Sequence, residues 1–212
     1  MTKSTQTEKN MTEKKAKAKV VTEDKSIVKE MAEKYGMDTA AFTKVLMSTV
    51  MPSGTKPEQV AAFLIICNRY DLDPFSNECW AYPDRGGVKP MVGVDGFLAI
   101  ANRDPAFDGM EFDEIVSEKD GALEAITCRV FRKDRSRPVT ATEYMDECRN
   151  DRSPVWKKYP KRMLRHRATI QALRMAFGLA GLADQQEYAD FQDLTKNQPQ
   201  DNVVDLNQVI KS

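Results

Sequence analysis

The sequence predicts an α+β fold, with helices packed on one face of an antiparallel sheet. Three patterns carry this expectation. Apolar residues recur at helical spacing between Ile27 and Tyr70. Alternating segments separated by turn residues occupy Glu78 to Tyr144. A long helical pattern then runs from Pro160 to about Leu179.

Taken in order, Ile27, Met31, Phe42, Val45, Leu46, Thr49 and Val50 share the helical period. Gly36 and Asp38 split that run into two helices, the second capped by Asp38. Pro57 opens a third helix, Glu58–Tyr70, with Val60, Phe63, Leu64 and Cys67 on its inner side, and Asp71-Leu-Asp-Pro ends it. Glu78–Tyr82 and Lys89–Val94 read as the arms of a hairpin around Asp84-Arg-Gly-Gly. Asp95 is the expected N-cap of a helix over Gly96–Asn102. Three strands follow, Glu111–Val116, Leu123–Phe131 and Val139–Tyr144, separated by Asp120-Gly121 and by Asp134-Arg-Ser-Arg-Pro. A short helix fits Glu143 to Arg149. Tyr159-Pro160 starts the long helix, and Gly178 or Gly181 ends it. A short helix is also compatible with Val203 to Ile210.

The chain has 212 residues, 41% hydrophobic and 30% charged, enough for one sizeable core with tails. We expect a Lys-rich arm at 1–25, a core at 26–190, and an acidic, polar tail at 191–212. No apolar run is long enough to span a bilayer and no signal-peptide pattern opens the chain, so the expected location is cytoplasmic. Cys67, Cys79, Cys128 and Cys148 are far apart, and His166 stands alone. That spacing favours reduced structural thiols over a zinc site.

Net charge is zero, but the charges are segregated. Residues 129–174 hold 14 basic and 5 acidic side chains, whereas residues 31–128 hold 8 and 16 and residues 175–212 hold 2 and 6. A block of net charge +9 points to a polyanionic partner for that segment, with the acidic tail as a competitor or solubiliser. On a helical wheel of Lys161–Phe177, Leu164, Ala168, Ala172 and Met175 form one apolar face, and Met163, Ile170, Leu173 and Phe177 form another. Arg167 and Arg174 share the stripe between them. They either meet carboxylates within the fold or face a groove that receives an anion. Lys161, Arg162 and Arg165 cluster near the helix start, where backbone amides also favour anions. Arg132, Lys133, Arg135 and Arg137 are dense enough to follow a phosphate backbone or to be a solvated loop, with Phe131 beside them. Trp156 and Tyr159 are candidates either for base stacking or for closing the core. Asp71, Asp73 and Asp95 fit turn and cap roles better than a nuclease metal cluster. No Walker-type phosphate loop is present, and no nucleophile with a nearby base stands out.

The segments Asn68-Arg-Tyr-Asp-Leu-Asp-Pro-Phe, Ala81-Tyr-Pro-Asp, Val92-Gly-Val-Asp-Gly-Phe, Phe107-Asp-Gly-Met, Cys128-Arg-Val-Phe-Arg-Lys-Asp-Arg, Tyr144-Met-Asp-Glu-Cys-Arg and Tyr159-Pro-Lys-Arg-Met-Leu-Arg-His-Arg-Ala-Thr-Ile-Gln resemble the Bet (Red beta) family of phage recombination proteins, which is related to the RecT annealing proteins. The resemblance runs from about Met37 to about Asp184. It implies a protein that anneals complementary single strands of DNA without ATP and without catalysing a covalent step. It implies a core similar to the eukaryotic recombination annealing protein, and assembly into rings or helical filaments. It implies no bound cofactor, with Mg²⁺ at most assisting annealing. The DNA groove would include Arg129, Lys133, Arg149, Lys161, Arg162, Arg165, Arg167 and Arg174, with Arg85 in the hairpin turn as a weaker member. The family's C-terminal helical domain contacts an exonuclease and the host single-strand-binding protein. Only about 30 polar residues follow the resemblance here, so either this chain is truncated or it lacks that module. Two other classes remain on the residues alone: a metal-dependent nuclease, and a scaffold whose basic face binds an acidic protein.

Overall fold

The computed structural model describes residues 27–76, 78–84, 87–179 and 181–184. The expected arm at 1–25, the tail at 191–212 with its helix over 203–210, and Arg85 all lie outside these residues. No helix among the described residues is long and apolar enough to cross a membrane.

Helix α1 (27–34) buries Ile27, Met31 and Ala32. Helix α2 (Thr39–Thr49) is capped as expected by Asp38, whose Oδ1 accepts the Ala40 and Ala41 amides at 3.0 and 2.9 Å. Helix α3 (Pro57–Arg69) starts with Gln59 Oε1 accepting the Lys56 amide at 2.9 Å. Its inner side is the expected one: Val60, Phe63, Leu64 and Cys67 are buried. The loop that follows is tied by Asp73, whose Oδ1 accepts both the Phe75 amide and the Tyr35 hydroxyl at 2.8 Å. Asp73 is thus a turn residue.

The five expected strands, joined by one unexpected strand, form two separate three-stranded sheets. The first holds β1 (Cys79–Asp84), β2 (Gly87–Val92) and β6 (Ala183–Asp184) in the order β1-β2-β6. β1 and β2 pair antiparallel, while β6 runs parallel to β2 through Met91–Ala183 and Val92–Asp184. A strand of two residues has no period to read, so the sequence gives no sign of this return of the chain. The second sheet holds β3 (Phe107–Val116), β4 (Leu123–Arg132) and β5 (Val139–Tyr144), fully antiparallel in that order. β3 begins earlier than its alternation indicates. A register shift between Phe107 and Met110, with Gly109 at φ 98°, masks the period there.

Between the sheets, α4 (Val94–Arg103) starts at Gly93, not at Asp95 as expected. Asp95 lies in its first turn, where its charge complements the helix dipole. The backbone is tightly packed at this start. A Cβ on Gly93 would lie 2.3 Å from the Trp80 ring, and one on Gly96 would lie 2.2 Å from the Glu78 carbonyl oxygen. The two glycines let α4 leave directly from the hairpin. Short helices α5 (Met145–Cys148) and α6 (Pro154–Lys158) then lead into α7 (Pro160–Phe177). Helix α6 is not among the expected elements, because five residues give too little period to show it. Gly178, left-handed at φ 64°, ends α7.

α7 packs on β4 and β5, with α4 against its other side. Leu164, Ala168, Ile170, Ala172 and Leu173 are buried, and so is Thr169, whose hydroxyl donates to the Arg165 carbonyl oxygen at 2.8 Å. Met175 departs from the wheel and is 53% exposed. The close approach at Gly96 is directly testable. Gly96→Ala should cost about 1–3 kcal/mol of stability, read from urea denaturation, because the obstacle is a backbone carbonyl that cannot swing away.

Candidate nucleic-acid interface

Register assigns the residues of the second sheet to two faces, since paired residues share a side. Rows Met110–Val130–Val139, Phe112–Cys128–Ala141 and Glu114–Ile126–Glu143 make the inner face, where α7 packs. Rows Glu111–Arg129–Thr140, Asp113–Thr127–Thr142 and Ile115–Ala125–Tyr144 make the outer face.

The start of α7 lies along the β3 side of the inner face. Lys161 Nζ donates to Glu114 Oε2 at 2.7 Å. One turn on, the Arg165 guanidinium sits 4.0 Å from the centre of the Phe112 ring. Arg162 and Lys158 both lie against the Tyr159 ring, at 4.5 and 5.1 Å from its centre. All four cations are exposed, as is Tyr159. They form a cationic ridge with one aromatic ring in its middle. Lys158 is the member that the sequence reading did not single out; its place in the basic run Trp156-Lys-Lys-Tyr-Pro-Lys-Arg is the signal that points to it. Trp156 separates from this group: it is 4% exposed and closes the core beneath α6.

The other expected groove residues are placed differently. Arg167 is turned into the fold, its side chain 13% exposed and its Nη1 3.7 Å from Oδ2 of Asp184, which is 2% exposed. Arg174 donates from Nη2 to the Leu182 carbonyl oxygen and stacks 5.4 Å from the Phe97 ring centre. Both arginines thus hold the segment after α7 back onto the helix, as a clip. Arg129 is on the outer face, across the sheet from α7, in an ion pair with Asp113. Lys133, Arg135 and Arg137 are exposed in the β4–β5 loop. Their neighbour Arg132 is not available to follow a backbone. It grips Asp134 at 2.8 and 2.9 Å, caps α7 through the Ala176 carbonyl oxygen at 3.0 Å, and lies over Phe177. Arg149, at the end of α5, pairs with Asp151 at 2.6 Å and lines a cavity beside Tyr144.

Magnitudes decide which cations can leave their present partners. The Lys161–Glu114 pair is solvent-exposed and is worth about 0–1 kcal/mol, so an arriving phosphate can replace the carboxylate. Removing one partner of a buried pair such as Arg167–Asp184 costs about 3–5 kcal/mol, because a charge is stranded. The ridge pair is the cheaper of the two to separate.

The four cysteines are free and buried. Burial pushes the Cys128 thiol up to about 11 and the Cys148 thiol up to about 12, the latter also donating to Glu143 at 3.0 Å. Both stay protonated near neutral pH. Burial also holds His166 below the usual imidazole range. Among the described residues, no group of three or more His, Cys, Asp or Glu is arranged to hold a metal ion.

Fold and site together define an α+β domain that presents an exposed cationic ridge beside a sheet. A model of the RecT family matches residues 35–201. The recombination protein bet of Escherichia phage lambda is 41% identical over 171 residues, covering 74% of this chain and 63% of that protein. The chain therefore belongs to the RecT family, in agreement with the motifs between Asn68 and Gln171. It spans a little under two thirds of the length of that relative.

The two classes of cation make separable predictions. Arg167→Ala should lower stability by about 3 kcal/mol, whereas Lys161→Ala should stay within about 1 kcal/mol of the parent, both measured by urea denaturation. Equal losses would contradict the division between clip and ridge.

Proposed function

We propose that this chain binds single-stranded DNA at the ridge formed by Lys158, Lys161, Arg162 and Arg165 and promotes annealing of complementary strands without ATP. The observation that carries the reading is that ridge: exposed cations around an exposed Tyr159, held only by surface partners, within a member of the RecT family. Lys133 and Arg149 extend the contact along the strand. Arg129 joins it only by exchanging Asp113 for a phosphate. Arg167 and Arg174 support the site by holding α7 in place.

The mechanism involves no covalent step. Cations offset phosphate repulsion, which is the term that opposes bringing two strands together. Phosphate contacts carry no base information, so the held strand keeps its base edges available for pairing. Pairing is favourable by itself, so no nucleotide needs to be hydrolysed, and Mg²⁺ enters only as a counterion. A single ridge is short. Several copies in a ring or filament would grip one strand at many points, and multivalency would retain the duplex as it forms. Recruitment of an exonuclease or of a host single-strand-binding protein is not assigned to any described residue.

Two measurements test this. Complementary oligonucleotides should anneal faster with the protein than without it, in the absence of ATP; equal rates would end the proposal. Lys161→Glu with Arg162→Glu should weaken single-strand binding by more than tenfold and leave the thermal unfolding midpoint unchanged. The same double variant should flatten the salt dependence by roughly 0.7 for each phosphate it no longer neutralises.

A further inference from the structure

A cavity of about 490 Å³ opens where β4 begins and β5 runs into α5. Its walls are Leu123, Glu124, Tyr144, Met145, Asp146 and Arg149. The size falls within the roughly 300–1,000 Å³ usual for small-molecule sites. Its chemistry is mixed in a specific way. Tyr144 is 47% exposed and, with Leu123 and Met145, supplies flat and apolar surface. Arg149 supplies donors only. Glu124 and Asp146, both exposed, supply acceptors only when ionised.

The cavity lies at the end of the second sheet on its β5 side, with Tyr144 in the outer-face row, and Glu124 is its wall towards the ridge. Lys161 holds Glu114, Glu114 pairs with Ile126, and Glu124 is two residues further along β4, about 7 Å away. Arg149 belongs both to the cavity wall and to the cations expected to follow a phosphate chain. A strand gripped at the start of α7 and continued round that end of the sheet would meet a pocket that has an aromatic surface, a guanidinium paired with Asp151 and two carboxylates.

We propose that the cavity takes one nucleobase of the bound strand, and that it favours bases carrying an exocyclic amine. This rests on the reading of the ridge as a single-strand site. The selectivity follows from the donor and acceptor inventory. Cytosine presents an N4 amine that donates to a carboxylate and an O2 that accepts from a guanidinium. Uracil and thymine replace that amine with a carbonyl oxygen, which a carboxylate repels. Adenine and guanine also present amines. Tyr144 provides a stacking surface that any base can use, so the pocket adds grip to every sequence and discriminates only through the amine. One base per protomer is withdrawn from pairing, which would fix the strand against sliding while its neighbours anneal.

The test is fluorescence anisotropy of the whole chain with labelled deoxycytidine and deoxyuridine homopolymers of equal length, at one salt concentration and then across a salt series. The two bases differ in amine against carbonyl and in the protonation of the adjacent ring nitrogen. The parent should bind the deoxycytidine oligonucleotide about fivefold more tightly, the ratio expected from one net hydrogen bond. Glu124→Ala combined with Asp146→Ala removes two negative charges, so affinity for both should rise while the ratio falls to about one. Tyr144→Leu should weaken both while the thermal unfolding midpoint stays at the parent value, since the side chain it replaces is exposed. Equal affinities in the parent, or a ratio that survives the double carboxylate change, would overturn the nucleobase pocket. Absence of salt-sensitive binding to either oligonucleotide would overturn the ridge reading, and the pocket with it.

Discussion

The packing of α7 across β4 and β5 is the constraint on which everything else depends. Ile126, Cys128 and Val130 on β4 and Ala141 on β5 meet Leu164, Ala168, Ala172 and Leu173 on the helix in one continuous core. α4 also packs against α7, with Phe97 and Ala101 buried. A helix apolar on two faces has little room left for charge. Its cations must therefore go to its exposed start or into the seam between its neighbours, and both happen.

That division gives the same residue type two physical roles. At the start of α7, charges sit over rings or beside surface carboxylates, where water screens them and partners can be exchanged. In the seam, Arg167 and Arg174 are held by Asp184 and by the Leu182 carbonyl oxygen. The second group turns the chain after Gly178 back against β2 and creates the parallel strand β6. Arg132 works in the same way from the other direction, joining the end of β4 to the end of α7. The basic block is thus partly exposed surface and partly mortar.

The second sheet adds an asymmetry of its own. Its β3 strand is acidic on both faces, with Glu111 and Asp113 outward and Glu114 inward. Asp113 pairs with Arg129 and Glu114 with Lys161, both at the surface, where such pairs are weak and reversible.

Much of this is legible directly in the sequence. The helices α2, α3 and α7, the β1–β2 hairpin and strands β4 and β5 all announce themselves, because burial on one side imposes a period of about 3.6 or 2 on the residues. The Asp38 cap and the Gly178 stop are legible for local reasons of backbone geometry. The excess of charge in residues 129–174 and the motifs between Asn68 and Gln171 are enough to indicate the RecT family. Other features depend on residues far apart in the chain. The third strand of the first sheet has two residues, too short to carry a period. At the start of α4, Trp80 and Glu78 press on Gly93 and Gly96. A wheel shows that Arg167 and Arg174 share a stripe, but only the tertiary structure decides what lies opposite it, because charge is assigned by partners in space and not by position on a helix.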